Sequence, residues 1–332
     1  MNMDKRREIK TIGVLTSGGD APGMNAAVRA VTRAAIHHGL QVYGVMYGYH
    51  GLISGELRPL TSSDVSGIMH QGGTILKTAR SEEFKTTEGR AAAYQNLVKY
   101  GIDALVVIGG DGSFSGASVF SKEYDIPTVG IPGTIDNDIS GTEYTLGYDT
   151  AMNTVIEAVD KIKDTASSHG RIFFIEVMGR EAGLLALSTG IACGAEAIII
   201  PESDEGYKDL EKFLAHYKEK KSSGIVMIAE GDKAGGALKL AERVNSEYPE
   251  LDVRVSILGH MQRGGNPSGI DRVVATQMGV AAVDALLDDQ KSIMIGLVNN
   301  KITHVPFNKT VKANRSIDPN LFDIQKVLNK WY

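Results

Sequence analysis

"IKTIGVLTSGGDAPGMNAAVRAVTRAAIHHG", Ile9 to Gly39, contains the unit from which the fold is assembled. An apolar run reads as a strand through Leu15, a glycine-rich loop follows, and Ala27, Val31 and Ala34 then recur at helical spacing. His37, His38 and Gly39 read as the stop of that helix. "GIDALVVIGGDGSFSGASVF", from Gly101, repeats the arrangement. "IPTVGI", "RIFFIEVMG", "AEAIIIPE", "GIVMIAEG" and "VRVSILGH" are further strand candidates, and Thr150 to Lys163 reads as a helix with Asp149 as its N-cap. Near-continuous apolar strands alternating with helices predict α/β architecture, with mostly parallel sheets covered on both faces. In such sheets ligands bind beyond the carboxyl ends of the strands, where the glycine clusters fall.

The 332 residues exceed what one core usually supports, so two doubly wound domains are expected. Hydrophobic content of 42% and charged content of 23% are ordinary for a globular chain, and the net charge of −5 argues against a nucleic-acid partner. A single cysteine, Cys193, cannot close an internal disulfide and predicts a reducing compartment and a buried thiol. "MNMDKRREIK" has a basic start with no apolar stretch after it, and no run approaches the ~18 residues of a membrane span. The expectation is a cytoplasmic protein without a membrane partner.

Two loops, "TSGGDAPGMN" and "IGGDGSFSG", each place paired glycines and an aspartate at a strand end before a helix. Glycine lets backbone amides approach an anion, and the helix N-terminus adds partial positive charge. Neither loop is a Walker A motif. A carboxylate at Asp111 repels bare phosphate but suits Mg²⁺ bridging to one. Arg171, Arg180, Arg254, His260 and Arg263 stand by glycines near strand ends, which suits forked recognition of a phosphate monoester. "GIPGTIDNDI", Gly130 to Ile139, then sets two carboxylates two positions apart. A polar turn would explain those ten residues alone. Beside a nucleotide-type loop and a second phosphate site, phosphoryl transfer explains them better, with Asp136 as base and Asp138 near the metal that relieves their repulsion.

"LTSGGDAPGMNAAVR", "VVIGGDGS", "GIPGTIDND", "DTASSHGR", "VMGR" and "LGHMQRGG" occur in this order, and the chain from Ile12 to about Lys301 resembles the bacterial ATP-dependent 6-phosphofructokinases. The resemblance implies two α/β domains with the active site in the cleft between them. Residues 1–146 plus about 261–311 would bind ATP, and 147–260 plus about 312–332 would bind fructose 6-phosphate. It also implies residue roles. Gly19, Arg80, Ser81, Gly110, Asp111, Gly112 and Ser113 would bind ATP, with Asp111 on Mg²⁺. Thr134, Ile135 and Asp136 would meet the sugar. Asp136 would take the proton of its 1-hydroxyl, assisted by Thr134, Asp138, Arg80 and Arg180. Arg171, Arg254, His260 and Arg263 would hold the 6-phosphate, Met178, Gly179, Arg180 and Glu230 the rest of the sugar phosphate, and Met261 and Gln262 would also bind substrate. In that family Arg171 and Arg254 reach in from a neighbouring subunit, so a homotetramer is implied.

A pyrophosphate-dependent relative carries an aspartate where Gly112 stands and a lysine where Gly133 stands; glycine at both positions favours ATP. Lipid and NAD kinases share the GGDG loop without "PGTIDND" or "HMQRGG", and a non-catalytic sensor would lack Asp111 or Asp136. The family's site for ADP or phosphoenolpyruvate as effectors maps to Arg29, Arg33, Lys163, Gly194, Glu196 and Lys221. Ser62 replaces an arginine there, Gly67 an aspartate, and Lys163 an arginine whose fork is lost. Weak effector response is therefore expected.

Overall fold

The computed structural model describes residues 8–220, 223–310 and 317–328. In chain order these form β1 (Thr11–Ser17), α1 (Met24–His37), β2 (Gln41–Val45), α2 (Gly48–Ser54), β3 (Leu57–Pro59), α3 (Thr87–Tyr100), β4 (Ala104–Gly109), α4 (Asp111–Tyr124) and β5 (Thr128–Pro132). There follow α5 (Tyr148–His169), β6 (Ile172–Val177), α6 (Leu184–Cys193), β7 (Ala197–Ile199), α7 (Glu205–Lys220), β8 (Gly224–Ala229), α8 (Ala237–Glu247) and β9 (Val253–Ile257). The chain closes with α9 (Gly269–Leu287), β10 (Ile293–Val298), β11 (Lys301–Pro306), α10 (Phe307–Thr310) and α11 (Pro319–Leu328).

Two compact units result. The first comprises 8–134, Ile139–Asp149 and 263–310; the second comprises Ile135–Asp138, Thr150–Gln262 and 317–328. Among the described residues the first carries a sheet in the order β11-β10-β5-β4-β1-β2-β3, and the second a sheet in the order β7-β8-β6-β9. All pairings in the second sheet are parallel, while the first has antiparallel pairs only where β3 joins β2 and β11 joins β10.

Covering on both faces explains the unbroken apolar strands. Every residue of β1, β4 and β5 is buried. In β6, Ile172 and Phe174 enter one core with Phe213 of α7 and Leu240 of α8, while Ile175 and Val177 enter another with Val155 and Val159 of α5 and Leu187 of α6. Alternation along the strand feeds both layers. In the first unit Phe114, Phe120, Leu97 and Phe307 fill the core on one side of the sheet. Helix starts are set locally: Thr86 caps α3 by accepting from Gly89 N–H at 3.0 Å, and Ser268 caps α9 by accepting from Asp271 N–H at 3.1 Å.

Against the sequence expectations, β1 runs two residues past Leu15, and α5 extends to His169, with Asp149 inside its first turn instead of at the cap. Cys193 is buried, and burial pushes its thiol pKa up. Among the described residues no helix is long and apolar enough to cross a membrane.

Candidate active site

Three neighbouring strands of the first sheet end level with one another. The register sets Ser17 of β1 beside Gly109 of β4, and Gly109 beside Pro132 of β5. The three loops that follow therefore leave the same edge of the sheet. From β1 the chain moves outward to β2 and β3, and on the other side lie β4, β5, β10 and β11, so the β1/β4 boundary is a point where strand order reverses. A Cβ at Gly109 would meet Ser17 O at 2.4 Å, so only glycine lets the two strand ends approach this closely.

Gly110 and Gly112 differ. A Cβ at Gly112 would meet nothing within 4 Å, and one at Gly110 only Thr134 Cβ at 4.0 Å. The chain's own packing does not demand glycine at either place, and the open space fronts the N-terminus of α4, which no side chain caps. Unsatisfied N–H groups and the helix dipole there suit an anion. Tyr49 steadies the loop from behind. Its buried hydroxyl donates to Ser113 O at 2.6 Å, its ring stacks on Phe84 at 3.9 Å, and burial holds its phenol far above the ordinary range. Sequence reading missed Tyr49 because nothing local distinguishes it from a core aromatic.

The loop bearing Arg80 is tied to the same edge. Thr78 Oγ1 donates to Gly18 O at 2.7 Å, and the buried Asn25 donates to Gln71 O and Gly72 O while accepting from Ile75 N–H at 2.7 Å. Arg80 itself is exposed, and Ser81 Oγ accepts from Phe84 N–H at 3.2 Å. Arg263 lies in this unit as well: its Nη1 donates to Asp20 O at 3.2 Å and stands where a Cβ on Gly19 would be.

Asp111 is exposed at the mouth of this space. Among the described residues no group of three or more His, Cys, Asp or Glu could hold a metal ion by itself. One hard carboxylate beside an anion cradle nevertheless fits Mg²⁺, which takes one or two carboxylates and completes its shell with phosphates and water.

After β5, Thr134 is half-buried and its carbonyl accepts from Thr145 Oγ1 at 2.6 Å. The Ile135 side chain belongs to the core, so its backbone alone could meet a ligand. Asp136 is 1% exposed, Asn137 takes a left-handed φ of 50°, and Asp138 is half-buried. A buried carboxylate is costly unless paired, and Arg180 Nε stands 3.5 Å from Asp136 Oδ2.

Residues 135–138 group with the second unit, where the turn carrying Arg180 leaves β6. Glu230, just beyond β8, accepts from Gly179 N–H at 3.3 Å and Arg180 N–H at 2.7 Å through Oε1. His260 and Met261 are exposed on the turn after β9. Gln262, expected beside them among the substrate-binding residues, is instead fully buried, with its carboxamide bound to Met178 N–H and Gly259 O.

The basic group read from the sequence divides, which corrects the view of it as one set. Arg171 precedes β6 and Arg254 is the second residue of β9, so both lie at the amino ends of the strands. The turn 178–180 lies at the carboxyl end, ~20 Å away at ~3.3 Å per strand residue. Asp252 binds the pair together, with Oδ2 on Arg171 Nε at 2.7 Å and Oδ1 on Arg254 Nε at 2.8 Å. Arg171, as the leading cause, with Arg254 holds its carboxyl below the usual range. Both arginines spend Nε on Asp252.

Of the expected effector residues, Lys163 donates to Cys193 O beside Gly194, and also faces the half-buried carboxyl of Glu196, whose Oε2 accepts from Ile225 N–H. Arg29 and Arg33 lie on α1 of the first unit, and Lys221 lies outside the described residues.

The phosphofructokinase family profile matches residues 11–286. The chain belongs to the phosphofructokinase family. An ATP-dependent 6-phosphofructokinase 2 of Bacteroides thetaiotaomicron is 56% identical over 322 residues, spanning 97% of this chain and 99% of that protein. An ATP-dependent 6-phosphofructokinase of Halalkalibacterium halodurans is 51% identical over 97% of this chain and 100% of its own length. Among solved structures, phosphofructokinase from Saccharomyces cerevisiae superposes with a TM-score of 0.86 at 40% identity, covering 96% of this chain and 48% of the yeast chain. A pyrophosphate-dependent phosphofructokinase from Marinobacter aquaeolei superposes with a TM-score of 0.82 at 21% identity, over 96% of this chain and 91% of that one, a likeness of fold alone.

Proposed function

We propose that the chain transfers the γ-phosphoryl group of ATP to the 1-hydroxyl of fructose 6-phosphate, the committed step of glycolysis, in the cytoplasm. The observation that carries this reading is the pairing of the buried Asp136 with the exposed Arg180, in the unit that also presents Glu230 and His260. Asp136 takes the proton of the attacking hydroxyl, and Arg180 pairs with the carboxylate and aims it. The amides of Gly110 to Ser113 cradle the nucleotide's phosphates, with Gly19, Arg80 and Ser81 alongside. Mg²⁺, held by Asp111, supplies neutralisation of phosphate charge when bound. Thr134 and Asp138 orient the reacting groups, and Met178, Glu230 and His260 hold the sugar phosphate.

Arg171 and Arg254 cannot join that set within one chain, since the length of a strand separates them from it. They serve a neighbouring copy, which makes the working enzyme a homo-oligomer, a homotetramer by its family. ADP and phosphoenolpyruvate are the effectors proposed for the Lys163–Glu196 region. Supplying ATP, Mg²⁺ and fructose 6-phosphate tests the activity: ADP must form with the sugar present and not without it. Turnover with pyrophosphate in place of ATP would overturn the reading.

A further inference from the structure

We propose that Gln262 is a positioning residue for the phosphoryl transfer: its buried carboxamide sets the turn Met178–Arg180 and thereby directs Arg180 onto Asp136. The inference rests on the roles given above to Arg180 and Asp136.

The parallel pairing of β6 with β9 runs to Glu176 and Ile257, and one more rung follows, Leu258 N–H to Glu176 O at 3.1 Å. Beyond it the ladder stops. The next donor, Met178 N–H, meets Gln262 Oε1 at 3.2 Å instead, while Gln262 Nε2 donates to Gly259 O at 3.0 Å. One side chain thus replaces a rung and locks the end of β6 to the turn carrying His260. On the opposite flank Glu230 N–H continues the β8 pairing to Val177 O at 2.9 Å, and its carboxylate takes Gly179 and Arg180. Every backbone N–H of the turn is therefore held by a side chain, Met178 by Gln262 and the other two by Glu230.

The turn requires such restraint. Gly179 has φ of 150° and Arg180 a left-handed φ of 52°. A non-glycine residue in that region is strained and persists only when its surroundings hold it there. Gln262 is 0% exposed, so it cannot reach a ligand in solvent, and its chemistry matches its two neighbours. Met178 N–H needs an acceptor and Gly259 O needs a donor; a carboxamide offers both, whereas a carboxylate would set a charge against a carbonyl oxygen.

The test is a double-mutant cycle of Gln262→Met with Arg180→Ala in the full-length enzyme. Gln262→Met orphans two buried backbone groups and should lower kcat by about ten- to a hundredfold, while the KM for ATP stays within about twofold. In the Arg180→Ala background the same change should alter kcat by less than about threefold, because the two act through one geometry. Independent, multiplying losses, or an unchanged kcat in the single variant, overturn the proposal. If Arg180→Ala keeps full kcat, the role assigned to Arg180 fails first, so the two failures are distinguishable. Should Gln262→Met not fold, Gln262→Glu, which keeps the acceptor and loses the donor, replaces it in the same cycle.

Discussion

Changing Gly112 to Asp should remove ATP from this enzyme without harming its fold. Nothing within 4 Å would meet the new Cβ, so no atom must shift to admit it. Gly112 is the second residue of α4, where an added carboxylate is favourable to the helix dipole by about 0.3–1 kcal/mol. The melting temperature should stay level or rise. The same carboxylate would stand beside any phosphate held by the first-turn amides. Two unit charges about 5 Å apart at an effective dielectric of about 20 repel by roughly 3 kcal/mol, about two orders of magnitude in affinity. Coupled assays at saturating fructose 6-phosphate should therefore show the KM for ATP rising by roughly thirty- to three-hundredfold. The KM for the sugar, for which Met178, Glu230 and His260 of the other unit are proposed, should hardly move. Pyrophosphate should not become a substrate by this change alone: a lysine at Gly133 would crowd Met24 Cε at 3.0 Å and Ile108 Cγ2 at 3.3 Å. A KM for ATP within threefold of the parent would refute the placement of phosphate against α4.

Asp136→Asn should lower turnover by ~10²–10⁴ with little change in either KM; a variant retaining a tenth of its turnover has lost no base. Arg254→Ala should raise the KM for fructose 6-phosphate by about ten- to a hundredfold and spare ATP. Co-expressing it with Asp136→Asn should recover activity through sites that draw one intact half from each subunit, and absence of recovery would return Arg254 to its own chain. Glu196 provides a pH test. Burial, outweighing the Ile225 N–H bond, raises its pKa in the folded state, so the native form binds the proton more tightly than the unfolded chain. Its contribution is fully present below the unfolded value near ~4.3 and is lost as pH rises through the folded value. Glu196→Gln should gain urea resistance over the parent at pH ~7.5 and less at pH ~5; a pH-independent difference would rule out burial of the charge.

The strand–glycine–helix units were legible because their signals are local. Apolar runs, the glycines that end them and the period of the next helix lie within thirty residues of one another. β11 was harder to see, being an exposed edge with weak alternation. The basic residues show the subtler limit. Each stands near a strand end, but Arg171 comes before "IFFIEV" and Arg180 after it, so strand direction separates them where proximity to glycine suggested union. That order was readable. Asp252 was readable too, since its spacing of two from Arg254 puts both on one face of an extended chain. Gln262 was not: in "HMQRGG" it looks as available as its neighbours, and only the closing of β6 against β9 buries it.

The pairing of β5 with β10 has a consequence for how the protein is made. Val129 and Gly130 of β5 wait for Ile293 and Met294, which leave the ribosome roughly 160 residues later, some 8–30 s at ordinary elongation rates. Phe307, which stacks on Phe114 in the same core, arrives later still. Meanwhile the second unit's sheet, finished at Ile257, has all its strands in hand. The sheet begun first is thus completed after the sheet inserted into it, and during that interval β5 presents an unpaired apolar edge, the kind of surface on which nascent chains adhere to one another. Slow synthesis or a shortage of chaperones should therefore cost this enzyme more in yield than its modest fraction of apolar residues suggests.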